Sequence, residues 1–391
     1  MVLTTKQEEG LRIAVQRYKD KEPYTCIAGF AGSGKSTLVR FIVDALQVPL
    51  NEVCYIAYTG KAAQVLRRKG CANAMTAHRL LYRSILLENG KFKHIPRKSI
   101  EPFQVIIVDE VSMLPKRMWE TLLAHNKYII ALGDPEQLPP VGGDNNDILE
   151  HPHVFLDEIM RQAQENEIIR LTMHIREGKR LEAFSGNDVR IVPRSEIQKD
   201  GFLFWADQIL CAKNVTRRQF NSIIRQVSLH VDDNLPIVGD KVICLRNDWD
   251  FVNLSGDALV NGLSGTVNKI TYVDWQHPSY NPFMEKTPII DITTDYDENS
   301  SFEGIDIDYK LFNEGEPSIN WQNWKKIPAI YHPHEFDYGY VITVHKAQGS
   351  EWDKVTVFEE YMKDQSREDF KRWLYTATTR AAKKLIIVRR N

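Results

Sequence analysis

A glycine-rich stretch near the N-terminus carries the residue types best suited to chemistry. The segment "GFAGSGKST", residues 29–37, matches the pattern G-x-x-x-x-G-K-[ST]. Glycines allow backbone N–H groups to wrap closely around a polyphosphate, and the helix that follows points its positive end at the same anion. Lys35 would reach the β- and γ-phosphates, and the Ser36 hydroxyl would bind Mg²⁺. We predict that a nucleoside triphosphate binds to this loop, which consists of Gly29, Phe30, Ala31, Gly32, Ser33, Gly34, Lys35, Ser36 and Thr37.

Acidic and amide side chains follow the later apolar runs of the same region. Asp109 and Glu110 end the run "VIIVDE", and Gln137 lies in "ALGDPEQLPPV" after the next run. A nucleotide hydrolase needs one carboxylate for the metal ion and a second group that activates the attacking water. We therefore assign Asp109 to Mg²⁺ and Glu110 to the water. Gln137 is a candidate sensor of the γ-phosphate. The alternative, a loop stopped by Pro139 and Pro140, explains the prolines but not their placement beside the nucleotide.

Two arginines lie outside this first region. Arg161 occurs in "LDEIMRQAQ", and Arg380 occurs in "YTATTRAAKK" near the C-terminus. Arginines that neutralise charge on the γ-phosphate accelerate phosphoryl transfer. If both approach the loop, the nucleotide lies in a cleft between two domains, and hydrolysis must change how those domains close.

Bulk properties indicate an ordinary globular protein. The chain has 391 residues, of which 43% are hydrophobic and 26% are charged, and this length predicts two to four domains. No apolar run approaches the roughly 20 residues needed to span a bilayer, and the N-terminus does not resemble a secretory signal. The five cysteines are scattered, so we expect free thiols, buried at Cys26, Cys54 and Cys244, in a reducing cytoplasm. The net charge of −2 argues weakly against a nucleic-acid partner, but a local groove can still be basic.

The order of apolar runs predicts an α/β fold. Short β-rich runs alternate with helical patterns over the first 150 residues, which is typical of a parallel sheet flanked by helices. A hairpin is expected to turn at Asn89–Gly90. Residues 151–185 are predicted to be helical, with a helix closing at Gly178, and a second α/β series to begin at "ADQILCAKN". From about residue 262 to 330 the composition predicts a small β-barrel insertion.

A series of segments occurs in the order of the superfamily 1 helicase motifs. They are Gln7 within "LTTKQ", the glycine-rich loop, "YTGKAA", "TAHRLL", "VDEVSM", "GDPEQLPPV", Arg161, "TVHKAQGSE" and "YTATTRA". From residue 4 to about 388 the chain resembles a compact RecD-like or Dda-like helicase, the branch that translocates 5′ to 3′ on single-stranded DNA. "GDPEQLPPV" and "VHKAQGSEW" favour this branch over the UvrD/Rep-like one.

The resemblance implies a domain organisation and further site residues. Two RecA-like domains are expected, 1A at 1–81 and 102–185 and 2A at 186–261 and 331–391. The insertions would be a pin hairpin at 82–101 and an SH3-like module at 262–330. Gln7 would read the adenine of ATP, and Glu351 would lie near the nucleotide sugar. The expected DNA contacts are Thr59, Thr76, His78, Thr343, His345 and, as the wedge of the pin, Phe92.

The leading hypothesis from the sequence is an ATP- and Mg²⁺-dependent helicase that acts on single-stranded and fork DNA. An alternative is a DNA-dependent ATPase that remodels nucleoprotein complexes without strong unwinding. A small-molecule kinase would leave Arg380 and the second α/β half unexplained. We expect a cytoplasmic monomer of a bacterium or of a phage-infected host. It would have no membrane association, and single-strand-binding, replication or recombination proteins are candidate partners.

Overall fold

Two parallel sheets, one in each half of the chain, organise the protein. The computed structural model describes residues 3–71, 73–86, 92–139, 146–159, 165–198, 203–231, 235–254, 257–274, 276, 280–284, 287–295, 297–313, 315–319, 327–328, 331–363 and 365–389. Within these ranges no helix has the length and apolarity required to cross a membrane. All five cysteines are free thiols, and the predicted burial of Cys26, Cys54 and Cys244 is confirmed.

The first half forms a six-stranded parallel sheet with a hairpin inserted in it. The strands of this half are β1 (Tyr24–Gly29), β2 (Val53–Ala57), β3 (Met75–Thr76), β4 (Tyr82–Leu86), β5 (Phe92–Pro96), β6 (Val105–Val108), β7 (Tyr128–Gly133) and β8 (Val154–Leu156). The sheet order is β3-β2-β6-β7-β1-β8, and β4 pairs with β5 as an antiparallel hairpin. The accompanying helices are Thr5–Lys19, Lys35–Leu46, Gly60–Arg68, Ala77–Leu81 and Lys116–Leu123. The sheet strands are mostly apolar because helices cover both faces of a parallel sheet.

The region between the two sheets differs from the prediction. Residues 151–185 were expected to be helical, but β8 is a strand that pairs in parallel with β1. Among the residues of this region that the structure describes, only Glu167–Arg176 form an α-helix, which ends before Gly178, whose φ of 70° suits glycine. A three-residue strand is too short to show a period in the sequence, and its conformation depends on pairing with β1.

The second half contains another parallel sheet and an antiparallel one. Its strands are β9 (Phe184–Ser185), β10 (Val189–Pro193), β11 (Gln208–Cys211), β12 (Lys241–Cys244), β13 (Asp248–Val252), β14 (Ala258–Leu259), β15 (Ser264–Val273), β16 (Thr287–Thr294), β17 (Asp297–Asp306), β18 (Phe336–Tyr338), β19 (Val341–Thr343), β20 (Trp352–Phe358) and β21 (Ala381–Arg389). The parallel sheet has the order β19-β11-β20-β21-β10-β9, with only β9 antiparallel. Its α-helices are Asn214–Leu229 and Arg367–Thr378, and Tyr309–Asn313 precedes β18. The second series therefore begins at β10, before the predicted "ADQILCAKN", because the alternation of exposed and buried residues in β10 obscures its apolar character.

The antiparallel sheet extends beyond the segment in which a β-barrel was predicted. Its order is β17-β16-β15-β12-β18, and β13 and β14 form a separate pair. Val242 in β12 pairs with Gly265 in β15 and with Tyr338 in β18. The predicted limits at 262 and 330 therefore fall inside this sheet.

One strand of each parallel sheet leads into a helix, and the two junctions are built differently. Strand β1 continues through the glycine-rich loop into Lys35–Leu46, whose N-terminus receives no side-chain cap. Strand β11 reaches Asn214–Leu229 after two residues, Ala212 and Lys213. Their backbone N–H groups donate to Glu360 Oε2 over 3.0 and 3.2 Å. A carboxylate of the protein thus binds the backbone immediately before the second helix, which, like the first, has no side-chain cap among the described residues.

Candidate nucleotide and DNA site

The glycine-rich loop has a backbone path that requires its glycines. Gly32 and Gly34 have φ values of 79° and 80°, in the region that disfavours side chains. A side-chain carbon at Gly29 would lie 2.7 Å from Ser33 Oγ and 2.9 Å from the Leu156 carbonyl oxygen. Lys35 Nζ donates to the carbonyl oxygens of Gly29, at 2.6 Å, and Phe30, at 3.1 Å. The ammonium group therefore lies over the loop in which phosphate binding was predicted.

Gln7 reaches the same loop from the first helix. Thr4 and Gln7 form a capping box, in which the Thr4 N–H donates to Gln7 Oε1 over 3.0 Å. The Gln7 amide Nε2 then donates to the Ser33 carbonyl oxygen over 3.1 Å, in a buried position. Within the part of the chain that the structure describes, the buried Ser33 Oγ has no hydrogen-bond partner. An unpaired hydroxyl beside a glycine cradle suits a loop that binds a polar ligand.

The two acidic residues lie together at the end of β6. Glu110 has a left-handed backbone with a φ of 50°, and its N–H donates to Asp109 Oδ1 over 3.1 Å. Burial and the charge of Glu110 raise the pKa of Asp109 to about 6, while Lys35 opposes that shift. A carboxylate held under such repulsion is stabilised by a cation. Asp109 and the Ser36 hydroxyl offer the oxygen ligands that Mg²⁺ prefers, so the residues present fit this ion.

Three predicted residues from both halves form one hydrogen-bonded chain. Gln137 Nε2 donates to Glu110 Oε1 over 3.1 Å, and Arg380 Nη2 donates to Gln137 Oε1 over 3.2 Å. Arg380 is only 5% exposed, and it also donates to the carbonyl oxygens of Thr376 and Ser350. The structure thus brings Glu110, Gln137 and Arg380 together.

The same interface contains residues that the sequence interpretation missed. Tyr375 Oη donates to Asp134 Oδ2 over 2.7 Å and accepts from the Ala31 N–H over 3.0 Å. The Leu138 N–H donates to Thr376 Oγ1 over 2.8 Å. The Leu138 carbonyl oxygen accepts from Gln348 Nε2 over 2.7 Å. These residues lie inside the quoted segments "GDPEQLPPV", "HKAQGSE" and "YTATTRA". The sequence therefore marked the motifs that contain them, but it did not indicate which of these residues contact each other.

The remaining nucleotide-site predictions have different outcomes. Arg161 lies outside the described residues. Glu351 Oε2 accepts from Lys69 Nζ over 3.3 Å, in an ion pair that joins the two halves. The Arg176 guanidinium lies 3.6 Å from the centre of the Phe30 ring and so covers one side of the loop. Sequence reasoning had not selected Arg176.

The predicted DNA-binding residues are distributed over two places. Thr76 and His78 line a cavity of about 320 Å³ together with Arg67, Arg79, Arg83 and Arg97. The residues Val252, Asp257, Ala258, Val260 and Leu263 close this cavity from the second half. Four arginines make the cavity basic although the net charge of the chain is −2, and Asp257 in the lining pairs with one of them, Arg67, over 2.7 Å. Thr76 also caps the helix Ala77–Leu81, and the His78 ring stacks on Tyr82 with centroids 4.8 Å apart.

Thr59, Thr343 and His345 are not among the described residues that line this cavity. Thr59 caps the helix Gly60–Arg68. A side-chain carbon at Gly349 would lie 3.2 Å from both Ala62 Cβ and Thr59 Oγ1, so the segment after Thr343 packs against that helix. Burial lowers the pKa of His345, which favours a neutral imidazole.

The predicted pin corresponds to the hairpin of β4 and β5. Leu86 pairs with Phe92 at its described end, and Tyr82 pairs with Pro96 at its base. The Asn89–Gly90 turn and the Phe92 side chain lie outside the described residues.

Comparisons with known proteins agree with this architecture. A family model described as AAA domain matches residues 3–190, and one described as UvrD-like helicase C-terminal domain matches residues 338–388. The crystal structure of Pif1 helicase from Bacteroides, in complex with ADP-AlF3 and ssDNA, aligns with a TM-score of 0.53 and 16% identity. The alignment covers 99% of this chain and 92% of that chain, and it indicates a shared fold.

Two helicases are among the relatives in sequence. The ATP-dependent DNA helicase Dda of enterobacteria phage T4 is 26% identical over 266 residues, which cover 62% of this chain and 60% of Dda. The ATP-dependent RecD2 DNA helicase of Deinococcus radiodurans is 27% identical over 387 residues, which cover 91% of this chain and 45% of RecD2. The chain thus spans less than two thirds of the length of either relative. The motifs, both family models and these relatives confirm the resemblance of this chain to the superfamily 1 helicases of the RecD-like and Dda-like branch.

Proposed function

We propose that this chain is an ATP-dependent DNA helicase that translocates 5′ to 3′ on single-stranded DNA and unwinds duplex DNA. The observation that carries the proposal is the chain of hydrogen bonds from Glu110 through Gln137 to Arg380. It links the proposed water-activating carboxylate of the first half to an arginine of the second half. Any change at the nucleotide then alters the contact between two RecA-like domains.

Each site residue has a role in this proposal. Lys35 neutralises the terminal phosphates, Glu110 orients the attacking water, and Arg380, together with Arg161, neutralises charge that develops on the γ-phosphate. Gln7 contacts the adenine, and Glu351 lies near the sugar. Ser36 and Asp109 would hold Mg²⁺, which supplies positive charge to the phosphates when it is bound.

DNA binding in this proposal depends on the basic cavity and on the segments around it. Arginines attract the phosphate backbone without reading sequence, and stacked rings such as His78 suit a single strand. Thr59 and His78 grip from the first half, and Thr343 and His345 grip from the second. Because the two halves hold the DNA alternately as the domains close and reopen, the protein moves along the strand in net steps. The β4–β5 hairpin, with Phe92 as wedge, serves as the pin, and the antiparallel sheet corresponds to the SH3-like module.

The test measures ATP hydrolysis and strand separation together. ATP turnover is compared with and without oligo-dT, and strand displacement is compared on 5′-tailed, 3′-tailed and blunt duplexes. We expect stimulation by oligo-dT and displacement of the 5′-tailed duplex alone. Equal activity on 3′-tailed DNA would overturn the direction, and absence of stimulation would overturn the function. Stimulated turnover that displaces a bound protein but no naked strand would favour the remodelling alternative.

A further inference from the structure

One buried hydroxyl group of the second half contacts both the glycine-rich loop and the segment that carries Gln137. We propose that Tyr375 is a positioning residue that couples the second sheet to the loop through Asp134 and the Ala31 amide. This inference rests on the proposed function and adds to it a residue that does not touch the nucleotide. Tyr375 is 1% exposed and Asp134 is 2% exposed, so the contact is shielded from water.

The directions of the two hydrogen bonds follow from chemistry. An amide N–H can only donate, so the Ala31 N–H donates to Tyr375 Oη over 3.0 Å. The single phenol proton is then directed to Asp134 Oδ2 at 2.7 Å. Burial and the neighbouring Asp134 raise the pKa of Tyr375, so the phenol keeps that proton. One hydroxyl therefore satisfies a donor of the loop and an acceptor of the next segment.

Asp134 connects the Tyr375 hydroxyl to the residues that we propose take part in ATP hydrolysis. Asp134 Oδ1 accepts from the Glu136 N–H over 3.0 Å, and the Asp134 carbonyl oxygen accepts from the Gln137 N–H over 3.2 Å. The turn held by Asp134 thus presents Gln137, whose side chain lies between Glu110 and Arg380. If the second sheet moves, Tyr375 moves with it and shifts both the loop and this turn.

Tyr375→Phe tests the inference because it keeps the ring and removes only the hydroxyl. We expect kcat for oligo-dT-stimulated ATP hydrolysis to fall about tenfold, the effect of one lost hydrogen bond to a charged group, with KM for ATP little changed. Asp134→Ala should give the same pattern and serves as a second variant if the first unfolds. Asp134→Asn should restore only part of the activity, because its single amide oxygen accepts from the phenol while its NH2 group leaves the Glu136 N–H without an acceptor.

Tyr340→Phe is the matched control. Tyr340 Oη donates to Asp240 Oδ1 over 2.9 Å, so this variant also loses a tyrosine–aspartate bond, but away from the loop. We expect its kcat to stay within twofold of that of the parent. Equal kinetics for Tyr375→Phe and Tyr340→Phe, or a rise in KM without loss of kcat, would overturn the inference.

A measurement without ATP or DNA separates this inference from the proposed function. Hydrogen exchange of the Ala31 amide should be about tenfold faster in Tyr375→Phe than in the parent and unchanged in Tyr340→Phe. If the parent shows no stimulated turnover, the proposed function fails while the exchange result still tests the contact. Unchanged exchange in Tyr375→Phe would show that the hydroxyl does not hold the loop.

Discussion

The two strand-to-helix junctions of the parallel sheets differ in the linker that precedes the helix. In the first sheet a glycine-rich loop leads into Lys35–Leu46, and no side chain caps that helix. In the second sheet two residues lead into Asn214–Leu229, and Glu360 accepts the N–H groups of Ala212 and Lys213. Glu360 also accepts from the hydroxyl group of Thr216. Neither helix has a side-chain cap from the residues that the structure describes, so the difference lies in what precedes it: a glycine-rich loop in the first sheet, and two residues bound by the protein's own carboxylate in the second.

The difference shows that a P-loop is more than a strand followed by a helix. Both helix N-termini attract anions through their unpaired N–H groups and their dipole. Only the longer linker, with glycines at positive φ, has the backbone path that a polyphosphate site requires. We infer that the first junction binds the nucleotide and that the second supplies structure, together with Arg380 and Tyr375 from a later helix.

The largest expected effect distinguishes the two junctions by their lysines. Lys35→Ala should lower oligo-dT-stimulated ATP turnover about a thousandfold, because the ammonium over the loop is lost. Lys213→Ala, at the start of the second helix, is the matched control and should change turnover less than twofold. A steady-state phosphate-release assay measures both. A comparable loss in the two variants would contradict the assignment of nucleotide binding to the first junction.

A smaller effect on ATP turnover is expected for Arg380, which the second half of the chain contributes to the site in the first half. Arg380→Ala should lower kcat about a hundredfold, because the proposed charge-neutralising group is removed, while KM for ATP changes less than threefold. Titration with a fluorescent ATP analogue and the turnover assay separate binding from hydrolysis. Thermal unfolding is the check that the variant remains folded. A loss of affinity with unchanged kcat would assign Arg380 to ground-state binding instead.

The second junction should respond in stability rather than in activity. Glu360→Ala leaves the Ala212 and Lys213 amides without their acceptor and should reduce the free energy of unfolding by about 3 kcal/mol. Glu368→Ala removes a surface partner of Lys371 and should cost less than about 1 kcal/mol. Urea titration measures both, and KM for ATP should be unchanged. A raised KM in Glu360→Ala would mean that the two junctions are not independent.

The smallest expected effect concerns His334, which lies outside both parallel sheets and therefore serves as a reference for them. Burial opposes the charge of His334, but hydrogen bonds to Asp248 and Asp306 raise its pKa to about 9, from an ordinary value of 6.5. The folded state binds this proton more tightly, so the stabilisation is complete below pH 6.5 and is lost as the pH rises through 9.

At pH 7 the parent should therefore exceed His334→Gln by about 2 kcal/mol in unfolding free energy. This difference in unfolding free energy should disappear by about pH 10. Urea titrations over this range measure it, and Glu360→Ala is the control, since its deficit should not shrink in the same way. A gap for His334→Gln that is independent of pH would show that the charge on His334 does not stabilise the antiparallel sheet.

Sequence reasoning succeeded where neighbouring residues define the structure. The loop before Lys35 and the acids after β6 are local patterns, and local backbone chemistry gives them their shape. It failed at β8 and β10, whose conformation depends on pairing with other strands. It also missed the contact between Tyr375 and Asp134, which lie 241 positions apart and meet only when the two sheets pack.

The sequence by itself determined the chemistry available to this protein. Glycine spacing, the lysine and hydroxyl that follow, and the paired acids predict phosphate and metal binding because each acts within a few residues of backbone. Tertiary structure decided which distant groups lie beside that loop and which carboxylate binds the backbone before the second helix. Tyr375, Arg380 and Glu360 acquire their partners only through packing, because a hydrogen bond depends on distance and direction in space and not on separation along the chain.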